Sequence, residues 1–409
     1  MRQILAVTSV AMAVTVLSAQ ELTQRQPPVF RAAVDSVALE VQVLDRDGLP
    51  IRGLTAEAFT VSLDRRERPV QSATWFEYTD AAGAPSPVRP LMSPPTSVAS
   101  TSAVPQGRVI FLAIDEHSMN EQAMMASLAD ARRFSNLLLP EDYLGLVGFP
   151  TGRTYINPTR DRARVHSALT PALRQDVIKS GAFHFRPSEI VDITAGDAQV
   201  IGEVEERECP KVGRQTCRDQ VRAEARILAA QHEASARQRL NALTALFDAL
   251  AAVPGRKIVV VISGGLLVSD RTSGRPDVVK YAWEVGRAAT RANVALYVLH
   301  QDDQFLDSMS VRHGRSAQPS SIRDSSLQSA GLGAIAGTAG GHLADISAGT
   351  ARDAFARVMR EVSGFYVLGV GTEARDRDGR PKVVDVKVTA PGAKVRFRES
   401  VVIAKSPGS

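Results

Sequence analysis

Residues Arg108–Glu121 read "RVIFLAIDEHSMNE". Val109 to Ile114 are apolar and β-prone without a polar break, the mark of a strand buried on both faces. Asp115 follows at once. A polar stretch with Glu116, His117 and Ser118 comes next, and then "EQAMMASLADARRFSNLLL", which has helical spacing. Open α/β sheets carry their ligand chemistry at the carboxyl ends of such strands, so an acidic residue there is a candidate site.

The same texture extends outward. "YLGLVGF", "KIVVVIS" and "VALYVL" read as further buried strands. "RDRARVHSAL", "VVKYAWEVGRAATRA" and "TARDAFARVMREVS" read as helices, and a long helix runs from Asp219 to Ala252 with Leu240, Leu243, Phe247 and Leu250 on one face. Strands alternating with helices predict a doubly wound, mostly parallel sheet. "AGLGAIAGTAGG" is expected as a helix of small residues ending at Gly340–Gly341; no strand precedes it, so it is no dinucleotide loop.

Both ends of the chain read differently. Val37, Leu39, Val41 and Val43 alternate with other residues, as in a half-buried strand, and the turn "DRDGLP" follows. "FTVSLDRRERPVQSATWFEY" is expected as two strands around a polar turn. Near the C-terminus, Val384, Val386 and Val388 alternate, then Val395 and Phe397, and a second "DRDG" lies at Asp376–Gly379. The other ligand positions of a calcium loop are missing from both copies, so both are turns. Each terminal segment has too few strands to close a sandwich alone. Segments 30–79 and 364–409 are therefore expected to pack together as one small β-sandwich-like domain. A Pro/Ser-rich linker spans 80–107, and the α/β domain spans 108–363, with a polar insertion at 175–218.

"MRQILAVTSVAMAVTVLSAQE" has a basic start and an apolar centre too short to span a bilayer comfortably, so 1–19 reads as a signal peptide. An uncleaved anchor is the alternative. No later stretch is long and apolar enough for a membrane span. The formal charge of +5 is spread thinly and forms no basic stripe, which argues against nucleic acid as a partner. The two cysteines, Cys209 and Cys217, lie close together in "ECPKVGRQTC". In an exported protein such a pair is expected to form a disulfide.

Four pieces of the chain resemble the von Willebrand factor A (VWA)-related family of exported acidobacterial proteins. They are "VQVLDRDGLPIRGLTAEAFTVSLD", "RVIFLAID", "VPGRKIVVVISGGL" and "GTAGGHLAD" followed by "FYVLGV". The resemblance implies a six-stranded, Rossmann-type sheet with a metal-ion-dependent adhesion site at its carboxyl edge. That site takes Asp-x-Ser-x-Ser from a first loop, a Thr from a second and an Asp from a later one, and holds Mg²⁺ or another divalent cation that a partner's carboxylate completes.

Against this pattern Asp115 is retained. His117 and Met119 stand where the serines belong, and Ser118 is off by one. Thr159 precedes a helix, as ligand or as N-cap. Gly264 stands where the later Asp belongs, and Asp270 lies a few residues on. Imidazole and thioether suit Mg²⁺ poorly. The expectation is a degenerate site built on Asp115, Ser118 and Thr159 without a cofactor, Mg²⁺ or another divalent cation being the alternative, with Glu116, His117, Gly264 and Asp270 on partner-binding loops.

Catalytic readings are weaker. Asp115, Glu116 and His117 are adjacent and cannot all converge on one substrate. Val261 breaks the nucleophile-elbow pattern around Ser263. His300, Asp302 and Asp303 are expected in a solvated loop. The function expected is an exported, non-enzymatic interaction or adhesion module with a protein partner, in the periplasm, at the cell surface or outside the cell. A structural envelope protein with a dead site is the alternative, and a metal-dependent hydrolase a more distant one.

Overall fold

The computed structural model describes residues 36–78, 107–169, 178, 181–210, 213–253, 256–302, 318–347, 351–397 and 400–403. The expected signal peptide, the linker apart from Gly107, and Asp303 lie outside the described residues.

Four strands come from the N-terminal segment: β1 (Ser36–Leu44), β2 (Phe59–Leu63), β3 (Arg66–Arg68) and β4 (Val70–Glu77). The expected pair around a polar turn is three strands. Asp64 and Arg65, both at positive φ, turn β2 into β3, and β4 then joins the other sheet. Four more come from the C-terminal segment: β11 (Gly364–Gly371), β12 (Pro381–Val388), β13 (Lys394–Phe397) and β14 (Ser400–Val402). They interleave as two antiparallel sheets, β13-β1-β11-β4 and β14-β12-β2-β3. Leu39, Val41 and Val43 of one sheet meet Val61, Leu63 and Val384 of the other in a shared core. The outward face of β1 is not solvated at its end. Gln42 is fully buried, donating to the Glu361 carbonyl and accepting from Arg256 Nη2 at 3.1 Å.

The second part is a six-stranded sheet, built from β5 (Val109–Asp115), β6 (Tyr143–Phe149), β7 (Tyr155–Thr159), β8 (Lys257–Ser263), β9 (Val294–Gln301) and β10 (His342–Ile346). The order is β10-β9-β8-β5-β6-β7. Every pairing is parallel except β6 with the edge strand β7. This is the mixed α/β sheet expected from the alternating pattern, with the antiparallel edge added. Ile110, Leu112 and Ile114 face α1 (Glu121–Ser135) and α8 (Ala351–Glu361), where Phe134 stacks on Phe355 with centroids 4.5 Å apart. Phe111 and Ala113 face α5 (Arg214–Ala251), α6 (Val279–Arg291) and α7 (Gln318–Thr338). The short helix α2 (Arg162–Ala168) lies beyond β7. The chain leaves β5 toward β6 on one side and returns to β8 on the other, so the strand order reverses between β5 and β8. Ligand crevices of open α/β sheets lie beyond the carboxyl ends of strands at such a point.

The 38 residues of α5 are about 57 Å of helix at ~1.5 Å per residue. Only the second half, Ala236 to Leu250, packs on the sheet. A crossover helix runs against the strand direction, so the first half projects past the carboxyl edge. There it meets α3 (Pro187–Ala195) and α4 (Ala198–Glu208). Ile190, Ile193, Ile201 and Val204 pack on Val221, Ala225, Leu228 and Ala229. The expected polar excursion is thus a helical subdomain with its own apolar core, which runs past residue 218. Gly196, at φ 91°, ends α3, and the Asp197 carboxylate caps α4. The disulfide Cys209–Cys217 ties the end of α4 to α5.

Candidate functional site

Asp115 ends β5 at the reversal point and is buried. Both of its carboxylate oxygens are engaged. Oδ2 accepts from Arg239 Nη1 at 2.9 Å and from Ser263 Oγ at 2.7 Å, and Oδ1 accepts from the His117 backbone N–H at 3.3 Å. Arg239 is also buried, and the same Nη1 donates to the Gly265 carbonyl at 2.8 Å. Ser118 Oγ accepts from Gly264 N at 2.8 Å and stands 3.3 Å from Ser263 Oγ. The loops after β5 and β8 are therefore stitched together around one guanidinium. A Cβ on Gly264 would lie 2.3 Å from the Ser118 carbonyl oxygen, so the close approach of the two loops requires glycine there.

The structure brings Asp115, Ser118 and Gly264 together, but not Thr159. That residue ends β7 and pairs with Leu144, which lies beside Ile110. Five residues of strand, about 16 Å at ~3.3 Å each, separate that level from Asp115, so Thr159 lies toward the opposite edge of the sheet. The cause is the antiparallel run of β7, an edge strand that tolerates Pro158. Thr159 is not the cap of α2 either: Asp161 accepts from Arg164 N, and Thr159 Oγ1 accepts from Asp161 N.

The partner-loop residues divide as well. Glu116 and Gly264 are buried, His117 is half-buried, and Asp270 is exposed. Glu116 tucks against Gly148, accepts from Thr151 Oγ1 and leaves Oε1 without a partner among the described residues; burial raises its pKa. Asp270 is held by Arg323 at 3.0 and 3.1 Å, and that guanidinium holds its carboxyl below the usual range. Met119, in a serine position, is fully buried core.

The helical subdomain is fastened over this edge. Asp192 of α3 accepts from Arg323 at 2.6 and 2.8 Å and from Arg271 at 2.9 Å. Burial pushes the Asp192 carboxyl up, but the two arginines outweigh it and hold it low. Asp324 accepts from Ser188 N at 2.7 Å, and Val191 packs on Leu267 and Leu327. Arg275 pairs with Glu233 of α5.

A divalent cation does not fit this arrangement. Asp115 has no oxygen free of a donor. An ion seated on it would stand about 4 Å from the Arg239 charge, a repulsion of about 8 kcal/mol at an effective dielectric of ~20. Among the described residues, no three His, Cys, Asp or Glu side chains gather as a metal site. His300, expected in a solvated loop, is a buried residue of β9 whose Nδ1 lies 2.9 Å from Asp345 Oδ1. Asp302 accepts from Ser325 Oγ at 2.7 Å.

Sequence reasoning missed Arg239 and Arg323. Arg239 had a signal. It lies four residues before Leu243 on the apolar stripe of α5, and a charged residue on a buried stripe needs a buried partner.

No family model matches the chain, and no curated relative does. Solved structures similar to it include the VWA domain of SpRpn10, 12% identical, covering 60% of this chain and 92% of that one, with a TM-score of 0.26. Another is the pilus adhesin SpaC from Lactobacillus rhamnosus GG in its open conformation, 8% identical, covering 73% and 44%, with a TM-score of 0.33. A third is the human COPII-coat protein Sec24c, 8% identical, covering 74% and 45%, with a TM-score of 0.29. The chain spans under half the length of the last two. At these identities none of them says what this chain binds, and the fold rests on its own sheet order. Among the described residues, no helix is long and apolar enough to cross a membrane.

Proposed function

We propose that this chain is an exported, non-enzymatic protein-interaction module that reads its partner with the helical subdomain raised on the carboxyl edge of the sheet. One observation carries the reading. The edge where open α/β folds bind ligands is roofed by α3, α4 and the first half of α5, with their own core, a disulfide and a charged clamp at Asp192, Arg271 and Arg323. The surface offered to a partner is then the roof, not the loops around Asp115. Export is supported by the leader-like first segment and by the cysteine pair, which persists in oxidising compartments. A hydrolase would need an accessible nucleophile or acid–base pair, and Asp115 and Glu116 are covered.

The sealed Asp115 also supports the second reading, a structural envelope component without a regulated partner. Crosslinking capture from the envelope fraction separates the two. Ile227 on α5 and Ile322 on α7 are 56% and 74% exposed, so Ile227→Glu and Ile322→Glu change the surface without disturbing the core. The interaction reading predicts a reproducible partner captured by the wild type and lost from one of these variants. Identical capture by all three proteins would place the contact away from these two positions and contradict the roof as the reading surface, and no capture by the wild type favours the structural reading.

A further inference from the structure

We infer that Arg239 is a built-in replacement for the divalent cation, so that the carboxyl-edge loops of this chain are locked permanently without metal. The inference deepens the proposed function but does not depend on a partner being found.

The oxygen set is assembled from two loops. Asp115 Oδ2 and the Gly265 carbonyl both contact Arg239 Nη1, at 2.9 and 2.8 Å, and Ser263 Oγ and Ser118 Oγ close the side between the loops. A carboxylate, a carbonyl and two hydroxyls are hard oxygen donors of the kind Mg²⁺ and Mn²⁺ take. Here the positive charge arrives on a side chain from α5. A guanidinium directs its donors along fixed lines and does not exchange with solvent, whereas an ion comes and goes with its concentration. One positive charge balances one carboxylate, leaving no net charge to draw in a dication. Arg239 also sits where α5 passes from the sheet to the roof: Ala236 and Leu240 pack in the sheet core, and Leu228 and Ala229 in the roof core. The cation substitute and the roof therefore belong to one rigid helix. Binding through the roof would be indifferent to chelators.

The test is thermal unfolding of the full chain with and without millimolar Mn²⁺, with Mn²⁺ binding read independently by electron paramagnetic resonance. Wild type is compared with Asp115→Asn and with Arg239→Ser, which empties the guanidinium position. If Arg239→Ser does not fold, Arg239→Gln, which keeps a donor but drops the charge, is read in its place. The expected result is no Mn²⁺ bound and no change in Tm for the wild type, and a Tm raised by Mn²⁺ together with bound-ion signal in the Arg239 variant. Wild type that binds Mn²⁺ and loses it on Asp115→Asn would overturn the inference. So would a folded Arg239 variant that binds none, because its oxygen set would then be no cation cage. Neither outcome bears on whether a partner is captured.

Discussion

Arg239 Nη1 lies 2.9 Å from Asp115 Oδ2, with the two side chains 6% and 2% exposed. One residue comes from the middle of a helix and the other from the end of a strand 124 positions away. Removing one member of a buried pair strands the other charge, which costs about 3–5 kcal/mol. Arg239→Ala is expected to lose that much in urea unfolding. The double variant Asp115→Asn, Arg239→Gln leaves no orphan charge and should lose far less. Equal losses in both would mean that the packing of the side chains matters and their pairing does not.

The disulfide should act locally. Closing a loop as short as Cys209–Cys217 contributes about 2–3 kcal/mol in the chain-entropy model. Replacing both cysteines by serine is expected to speed amide hydrogen exchange in α3 and α4 while leaving β5 and β8 protected. Exchange that rises uniformly would show that the roof and the sheet unfold as one unit.

Acid should weaken the protein through His232. It lies on α5 near Arg239, and burial, with help from that cation, lowers its pKa from 6.5 to about 4. The unfolded chain therefore binds a proton that the folded chain refuses between those values. Stability is expected to fall as pH drops through that window, by at most about 3 kcal/mol. Asp192 adds to the loss at lower pH, since its carboxyl is held low by Arg323 and Arg271 and its contribution disappears as it protonates. His232→Phe should flatten the upper part of the profile, which equilibrium unfolding between neutral pH and the acid range would read.

Gly148 tests the packing beside the site. A Cβ there would stand 1.8 Å from Glu116 Oε1. Gly148→Ala is expected to cost about 1–3 kcal/mol, the range for overpacked cores. The double variant with Glu116→Ala should recover part of that, because the clash is with a side chain rather than with backbone. No recovery would place the strain in the β6 backbone.

Much of this architecture is legible without coordinates. The four long apolar strands and their helices carry their own periodicity, and the first Asp-x-Asp-Gly turn carries its own chemistry; in the second copy Asp376 instead closes a 3-10 helix and holds Arg68. Other features resisted. The strand β7 is short, edge-placed and contains Pro158, so propensity hides it, and Thr159 lies at the end of the sheet away from Asp115. The insertion reads as polar because its apolar residues are few, spread mainly over two helices and completed only by the first half of α5. At the site itself, the resemblance pointed to Asp115, but the group that answers it lies in a helix that the resemblance does not mention. Only the place of a charged residue on an apolar stripe pointed there.

The most direct test of the account is a crystal structure of the wild-type chain grown in millimolar Mn²⁺, with anomalous scattering recorded at the manganese edge. The account predicts guanidinium density between Asp115 Oδ2 and the Gly265 carbonyl and no anomalous peak beside it. An anomalous peak in ligand contact with Asp115, with Arg239 swung away, would contradict it.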